Sequence, residues 1–234
     1  MRPRPIDHVY TVHNTALRST MIETATNASP RDTYRHGDLR QALLAAGVEM
    51  AQEGGPDSVV LREATRRAGV SPNAAYRHFA DRQALLVAVS ATAQGFVADS
   101  MEGKRQAVAS TDDAVVDARA RLRAVGEGYV GYARTQPGLF RAAFTVPDNL
   151  ANSAAAAKAG ALGFTPFQVL GIALDELETV GVIPADRRAN AELIAWSAVH
   201  GLGMLVIDGP LRGLTEEMID GATQRLLDMV ERGI

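Results

Sequence analysis

The residues best equipped for chemistry stand in one short block. Tyr76, Arg77 and His78 follow directly on Ser71-Pro72-Asn73-Ala74-Ala75. Of these Tyr76 and His78, with Arg82 just beyond, can donate hydrogen bonds to phosphates on either side of a helix. Asn73, Ala74 and Ala75, small residues ahead of them, let a helix backbone approach a partner closely. That combination suits the major groove of DNA, where phosphate contacts fix register and base contacts give specificity. Ser71 is an N-cap residue and Pro72 takes the favoured first helical position. The positive dipole ends at Ser71 and Asp81 add to the attraction for phosphate. From residue 62 to 82 the chain carries five Arg (Arg62, Arg66, Arg67, Arg77, Arg82) and two acids (Glu63, Asp81). The stretch is therefore +3 within a chain of net charge −3. Spacing alone leaves the blander alternative open, since glycine-turned helix pairs with a few arginines are common in all-α proteins.

Catalytic chemistry finds little support. With no cysteine there is no disulfide, thiolate metal site or thiol redox centre. No histidine pair has metal-ligand spacing, no glycine-rich phosphate loop follows a strand, and there is no Gly-x-Ser-x-Gly. Glu192, Trp196 and His200 recur at steps of four, yet Glu192 and His200 lie two turns apart, about 12 Å along a helix axis, too far for acid–base partnership. No cofactor or metal is implied.

The elements that must position these groups are all helical. No run alternates with period two, so no sheet is expected. A helix over 38–53 carries Leu39, Leu43, Ala46 and Met50 on one face, opens with an Asp38/Gln41 capping-box spacing, and ends at Gly54-Gly55-Pro56. Leu61, Ala64, Thr65 and Ala68 share the next face, and Gly69 supplies a left-handed stop. Two short helices around a glycine-containing turn make a helix-turn-helix. Asp81 then caps a helix running to about Lys104, with Leu85, Leu86, Val89 and Phe96 in its apolar stripe. Further helices are expected over 112–135, 139–145, 165–180 (Thr165/Gln168 capping box), 187–207 and 215–232, with a small-residue loop at 146–165.

At 234 residues, 47% hydrophobic and 22% charged, the composition is that of an ordinary globular protein. The longest uncharged apolar run, Leu193–Ile207, falls short of the ~20 residues of a spanning helix and reads as a buried helix. The N-terminus lacks the apolar centre of a signal peptide. Residues 1–33 read as a disordered tail, with Met21 as an alternative start; its arginines, with Arg35, are placed to drape over an anion.

The stretch LREATRRAGVSPNAAYRHFADRQALL (61–86) closely resembles the N-terminal domain of the TetR family of bacterial transcriptional regulators. The Tyr-Arg-His-Phe block, the Ala-Gly-Val-Ser turn and the Asp-Arg-Gln-Ala-Leu-Leu helix start carry the likeness, together with the lead-in Tyr-Arg-His-Gly-Asp-Leu-Arg at 34–40. The resemblance covers about 34–95 in detail. It implies an all-α chain: a three-helix helix-turn-helix domain at 34–82 and a ligand-binding and dimerisation domain at 83–234. It further implies that Ser71, Asn73, Ala74, Tyr76, Arg77 and His78 face DNA and that Arg82 holds a phosphate. One departure concerns Val60, where the family usually has Ser or Thr on a phosphate; Arg62 or the backbone amide is left to substitute. Thr65 stands where Ala is usual, its hydroxyl expected to bond back to its own helix.

Trp196 with His200-Gly201 resembles the Trp-x-x-x-His-Gly signature of one C-terminal domain type in the family. Two readings stay open: a core Trp beside a satisfied His, or a ligand pocket of Trp196 and His200 that Tyr129, Tyr132, Phe140, Phe144 and Met204 can join. The family likeness implies a homodimer through the last two helices, where Met218, Ile219, Ala222, Leu226 and Met229 form an apolar stripe. The expected function is a bacterial, cytoplasmic repressor released from a palindromic double-stranded operator by a small, largely apolar effector, without membrane involvement. The rival is an all-α small-molecule-binding protein or enzyme that merely contains a similar helix pair.

Overall fold

Helices start in this chain where a side chain can accept the unpaired N–H groups of a first turn. The computed structural model describes residues 36–234, with side chains from Leu39 onward. The expectations for the 1–33 tail and for the Asp38 capping box lie outside the described residues and side chains. Ten α-helices follow in order: α1 His36–Gly54, α2 Leu61–Arg67, α3 Pro72–Tyr76, α4 Arg82–Gln106, α5 Ala114–Thr135, α6 Pro137–Thr145, α7 Pro166–Thr179, α8 Ala185–Arg188, α9 Ala191–Ile207 and α10 Glu216–Gly233. Among the described residues there is no strand.

Five of these starts carry a side-chain cap, each worth about 1 kcal/mol. The Asp81 carboxylate accepts from Ala84 N at 2.7 Å ahead of α4, and Asp113 accepts from Val115 N and Val116 N ahead of α5. Ser71 and Thr215 do the same for α3 and α10. At α7 the capping box is complete: Gln168 N donates to Thr165 Oγ1 at 3.3 Å, and Thr165 N donates to Gln168 Oε1 at 2.9 Å.

The α4 helix is the axis of the fold. Leu85, Val89, Ala93 and Val97 are fully buried along it, and it packs on α1, α5, α6 and α7. Burying one such large aliphatic side chain contributes about 1.5–3 kcal/mol. Taken alone, α4 is also long and apolar enough to cross a bilayer, which the charge-free-run criterion overlooks. One face of it is instead covered by four neighbouring helices, although Val87 and the expected stripe residue Phe96 are exposed, and its C-terminal end carries the buried Glu102, held by Arg105. Because α4 runs from the helix-turn-helix through the C-terminal bundle, the described residues pack as one compact unit. The expected boundary at 82/83 falls at the first turn of this shared helix.

The single helix expected over 187–207 is two. Pro184 leads into the one-turn α8, and Asn190 then takes a left-handed conformation (φ 64) that separates it from α9. Asn tolerates that region because its short amide can bond locally. The 146–165 segment holds two 3-10 turns and is tied to α4, where the Asp99 carboxylate accepts from Ala161 N at 2.7 Å.

Candidate nucleic-acid interface and ligand cavity

The α2–α3 pair closes through a tight turn. Gly69 has φ 68, and Val70 N donates to Thr65 O at 3.0 Å, satisfying a carbonyl at the end of α2. Ala75 (0% exposed) and Thr65 (4%) are buried small residues of the two helices. The Thr65 hydroxyl donates to Arg62 O at 2.6 Å, so the extra polar atom has its partner within its own helix. Phe79 is buried, with the Arg40 guanidinium 5.2 Å above its ring.

This seating leaves one face of α3 open. Ser71, Asn73 and Arg77 are exposed, Tyr76 is 58% exposed, and Ala74 and His78 are half-buried. Large aromatics are normally drawn inward, whereas Tyr76 stands in solvent at the end of α3.

The five arginines divide by partner. Arg66 grips Glu63 through Nε and Nη2 at 2.8 and 2.7 Å, while Arg67 bridges Glu63 and Glu53 and so staples α2 to α1. Hydrogen bonds from Arg66 and then Arg67 hold the Glu63 carboxyl at about 2, far below its ordinary 4.5. Arg62 is exposed, as is Arg77, and neither makes an ion pair among the described residues. Arg82 has a different occupation from the one expected. Its Nε donates to Val59 O and its Nη2 to Pro56 O, both at 2.8 Å, so the guanidinium pins the start of α4 to the turn before α2. Val60 at the start of α2 is 44% exposed and offers no side-chain cap.

In the C-terminal bundle α4, α5, α6, α7, α9 and α10 enclose a cavity of about 510 Å³. That lies within the range of small-molecule sites. Four of the seven expected residues line it: Tyr129, Phe144, Trp196 and His200. The other three are corrected. Phe140 is wholly buried behind the wall, with its ring centroid 5.3 Å from that of Tyr129. Tyr132 and Met204 pack on the core away from the cavity. The Tyr132 hydroxyl is buried with no hydrogen-bond partner among the described residues, and burial together with nearby Asp99 pushes its pKa up to about 12.

One hydrogen-bonded chain crosses the cavity wall. Trp196 Nε1–H donates to the Tyr129 oxygen at 3.0 Å, and that hydroxyl lies 2.8 Å from His200 Nδ1. His200 is thus bonded at one nitrogen and also lines the cavity. Burial pushes the Tyr129 phenol up and the His200 imidazole down, favouring the uncharged form of each. Glu192 takes no part in this chain of hydrogen bonds and pairs with Arg188 at 2.7 Å. Phe167, Leu170, Leu122 and Gln94 also line the cavity, as does part of the 146–158 segment, and none of these was foreseen. Each of the four side chains reads as ordinary helix core or cap until the helices that carry them are brought together.

The apolar stripe expected on α10 is split. Ile219 is corrected: it is 4% exposed and joins Thr223, Leu227 and Val230 on the face turned into its own chain. Met218 (54%) and Met229 (60%) are exposed on the other face, with Ala222 and Leu226 half-buried between them. On the neighbouring α9, Ile194 (54%) and Leu205 (43%) are also exposed. Gly201, between them, has open space where a Cβ would stand.

An all-helical chain with an open, small-fronted helix at one end and an apolar cavity at the other has the build of a ligand-sensing regulator. Residues 43–89 match the model of tetR-family bacterial regulatory proteins, and 122–230 match that of the tetracyclin repressor-like C-terminal domain. The chain belongs to the TetR family of DNA-binding transcriptional regulators. No curated protein matches the sequence. Among solved structures, a protein of unknown function from Rhodococcus sp. RHA1 is 27% identical with a TM-score of 0.63, over 87% of this chain and 99% of that one. A TetR family transcription regulator from Marinobacter aquaeolei VT8 is 22% identical with a TM-score of 0.55, over 81% and 94%. TetR from Acinetobacter baumannii AYE is 18% identical with a TM-score of 0.51, over 82% and 93%. The latter two likenesses are of fold.

Proposed function

We propose that the protein is a homodimeric repressor, acting in the bacterial cytoplasm, that leaves a palindromic operator when a small, largely apolar molecule fills the 510 Å³ cavity. Ser71, Asn73, Ala74, Tyr76, Arg77 and His78 face the groove, and Arg62 takes the phosphate that Val60 cannot. Two copies meet through the exposed faces of α9 and α10, and the two-fold axis sets half-sites about 34–36 Å apart.

The observation that carries this reading is the seating of α6. One end lies on the cavity, where Ala143 and Phe144 form part of the wall. The Ala143 carbonyl accepts from Ser90 Oγ at 2.8 Å and from Gln94 Nε2 at 2.9 Å, which ties this end to α4. At the other end Gly138 packs so closely on the Ala51 and Gln52 carbonyls of α1 that a Cβ would collide with them. A ligand that displaces Phe144 thus moves a rod whose far end rests on α1, the helix against which the α2–α3 pair is packed. It weakens operator binding by its differential affinity for the two arrangements, and by no more than that.

Footprinting on the DNA upstream of the protein's own gene, with and without candidate hydrophobic metabolites, tests the proposal. Two protected half-sites related by a dyad, released by a cavity ligand, are expected. Protection that persists with the cavity occupied overturns ligand release; no protection at any site, with the protein dimeric and folded, overturns the repressor reading.

A further inference from the structure

Resting on the reading of the cavity as an effector site, we propose that the effector is uncharged and carries a hydrogen-bond acceptor (a carbonyl, ester or ether oxygen) that takes the Nε2–H of His200.

The donor follows from proton accounting along the wall. Tyr129 is 2% exposed, so its hydroxyl proton needs an acceptor inside the protein. Trp196 Nε1 only donates, and it already points at the Tyr129 oxygen. The remaining neighbour, His200 Nδ1 at 2.8 Å, must therefore accept. An imidazole that accepts at Nδ1 while neutral carries its proton on Nε2. His200 lines the cavity, and its Nε2 makes no hydrogen bond among the described residues. The result is a half-buried imidazole in a fixed tautomer, presenting a donor beside the aromatic wall of Phe144, Phe167 and Trp196, while the remaining neutral donors of the lining are the side chains of Gln94, Asn149, Ser153 and Ser197.

Neutrality follows from the charged lining groups, each of which already has an opposite partner. Arg123 pairs with Asp228 and with Glu231, and its Nη1 also donates to Gln224 Oε1 at 3.0 Å. Lys158 pairs with Asp148. A carboxylate or ammonium ligand would lose its hydration without gaining an unpaired counter-charge. Gln94 adds one polar atom of the other kind: its amide nitrogen is bonded to Ala143 O, which leaves Oε1 as an acceptor for a ligand donor.

The test uses N-phenyl-1-naphthylamine, a neutral apolar fluorophore, with the full-length protein. Trp196 is the only tryptophan in the chain and lines the cavity, so energy transfer from it reports a probe bound there. Four near-isosteric competitors then displace the probe: 2-acetonaphthone, 2-ethylnaphthalene, 2-naphthoate and 2-naphthylmethylammonium. One net hydrogen bond predicts a ~3- to 10-fold preference for the ketone over the hydrocarbon, with both ions weaker than either. In His200→Leu the ketone-to-hydrocarbon ratio falls to near one, whatever happens to affinity as a whole. In Tyr129→Phe, which releases the tautomer, the ratio shrinks. A ratio near one in the unaltered protein, or one that survives His200→Leu, overturns the donor assignment. Stronger binding of either ion overturns neutrality. Absence of both energy transfer and displacement is a separate result, and it removes the cavity reading itself.

Discussion

At the residue scale the decisive contrast is between Tyr76 and Phe79, three positions apart on the same short segment. Phe79 is buried under Arg40 and Tyr76 stands 58% exposed. Tyr76→Ala should weaken operator binding by ~10-fold or more, the scale of losing one specific groove contact. Gel-shift titration at fixed salt measures it, and the helical content and oligomeric state should not change. Phe79→Ala should instead destabilise the whole fold by about 3–5 kcal/mol, read from denaturant midpoints. Here the sequence was informative: small residues ahead of a Tyr-Arg-His cluster are wasteful in a core. For Arg82 it suggested a phosphate, but a guanidinium near a helix start serves a phosphate or two backbone carbonyls equally well. The carbonyls of Val59 and Pro56, distant in sequence from Arg82, supply the contacts seen here.

At the scale of elements, two joints matter. The first is the Arg66–Glu63–Arg67–Glu53 staple between α2 and α1. Glu63 is depressed from 4.5 to about 2, so its contribution is present above pH ~4.5 and is lost as pH falls through that interval. Denaturant midpoints followed from pH 6 down to ~2 should fall more steeply for the native protein than for Glu63→Gln; parallel curves would exclude the staple as a source of stability. The second joint is Gly138 on α1. Gly138→Ala sets a methyl group against the backbone carbonyls of Ala51 and Gln52, which cannot swing aside as a side chain can. A loss of about 1–3 kcal/mol is expected, together with a smaller ligand effect on operator affinity than in the native protein. The helices themselves were legible from caps and periodicity, including the Thr165/Gln168 box. The break at Asn190 was not, since no glycine or proline marks it and the apolar pattern runs on toward α9.

At the scale of the molecule, the exposed apolar face of α9 and α10 asks for a partner. Met218, Met229, Ile194 and Leu205 are each at least 43% exposed. A double substitution Met218→Glu/Met229→Glu should shift sedimentation from dimer to monomer. Operator affinity should fall with it, because a single half-site loses the second copy's contacts. A dimer that survives both charges would place the interface elsewhere.

The sequence by itself determined that the chain is helical, where most helices begin, and that residues 71–79 are built to present one face outward and one inward. These are local properties, set by capping, periodicity and residue size within a few turns. Tertiary structure alone decided which aromatics line the cavity, that Ile219 belongs to the core, and that α6 bears on both the cavity and α1. Those depend on how helices distant in sequence are rotated and seated against one another, and a 3.6-residue period states that a helix has an apolar face without stating what covers it.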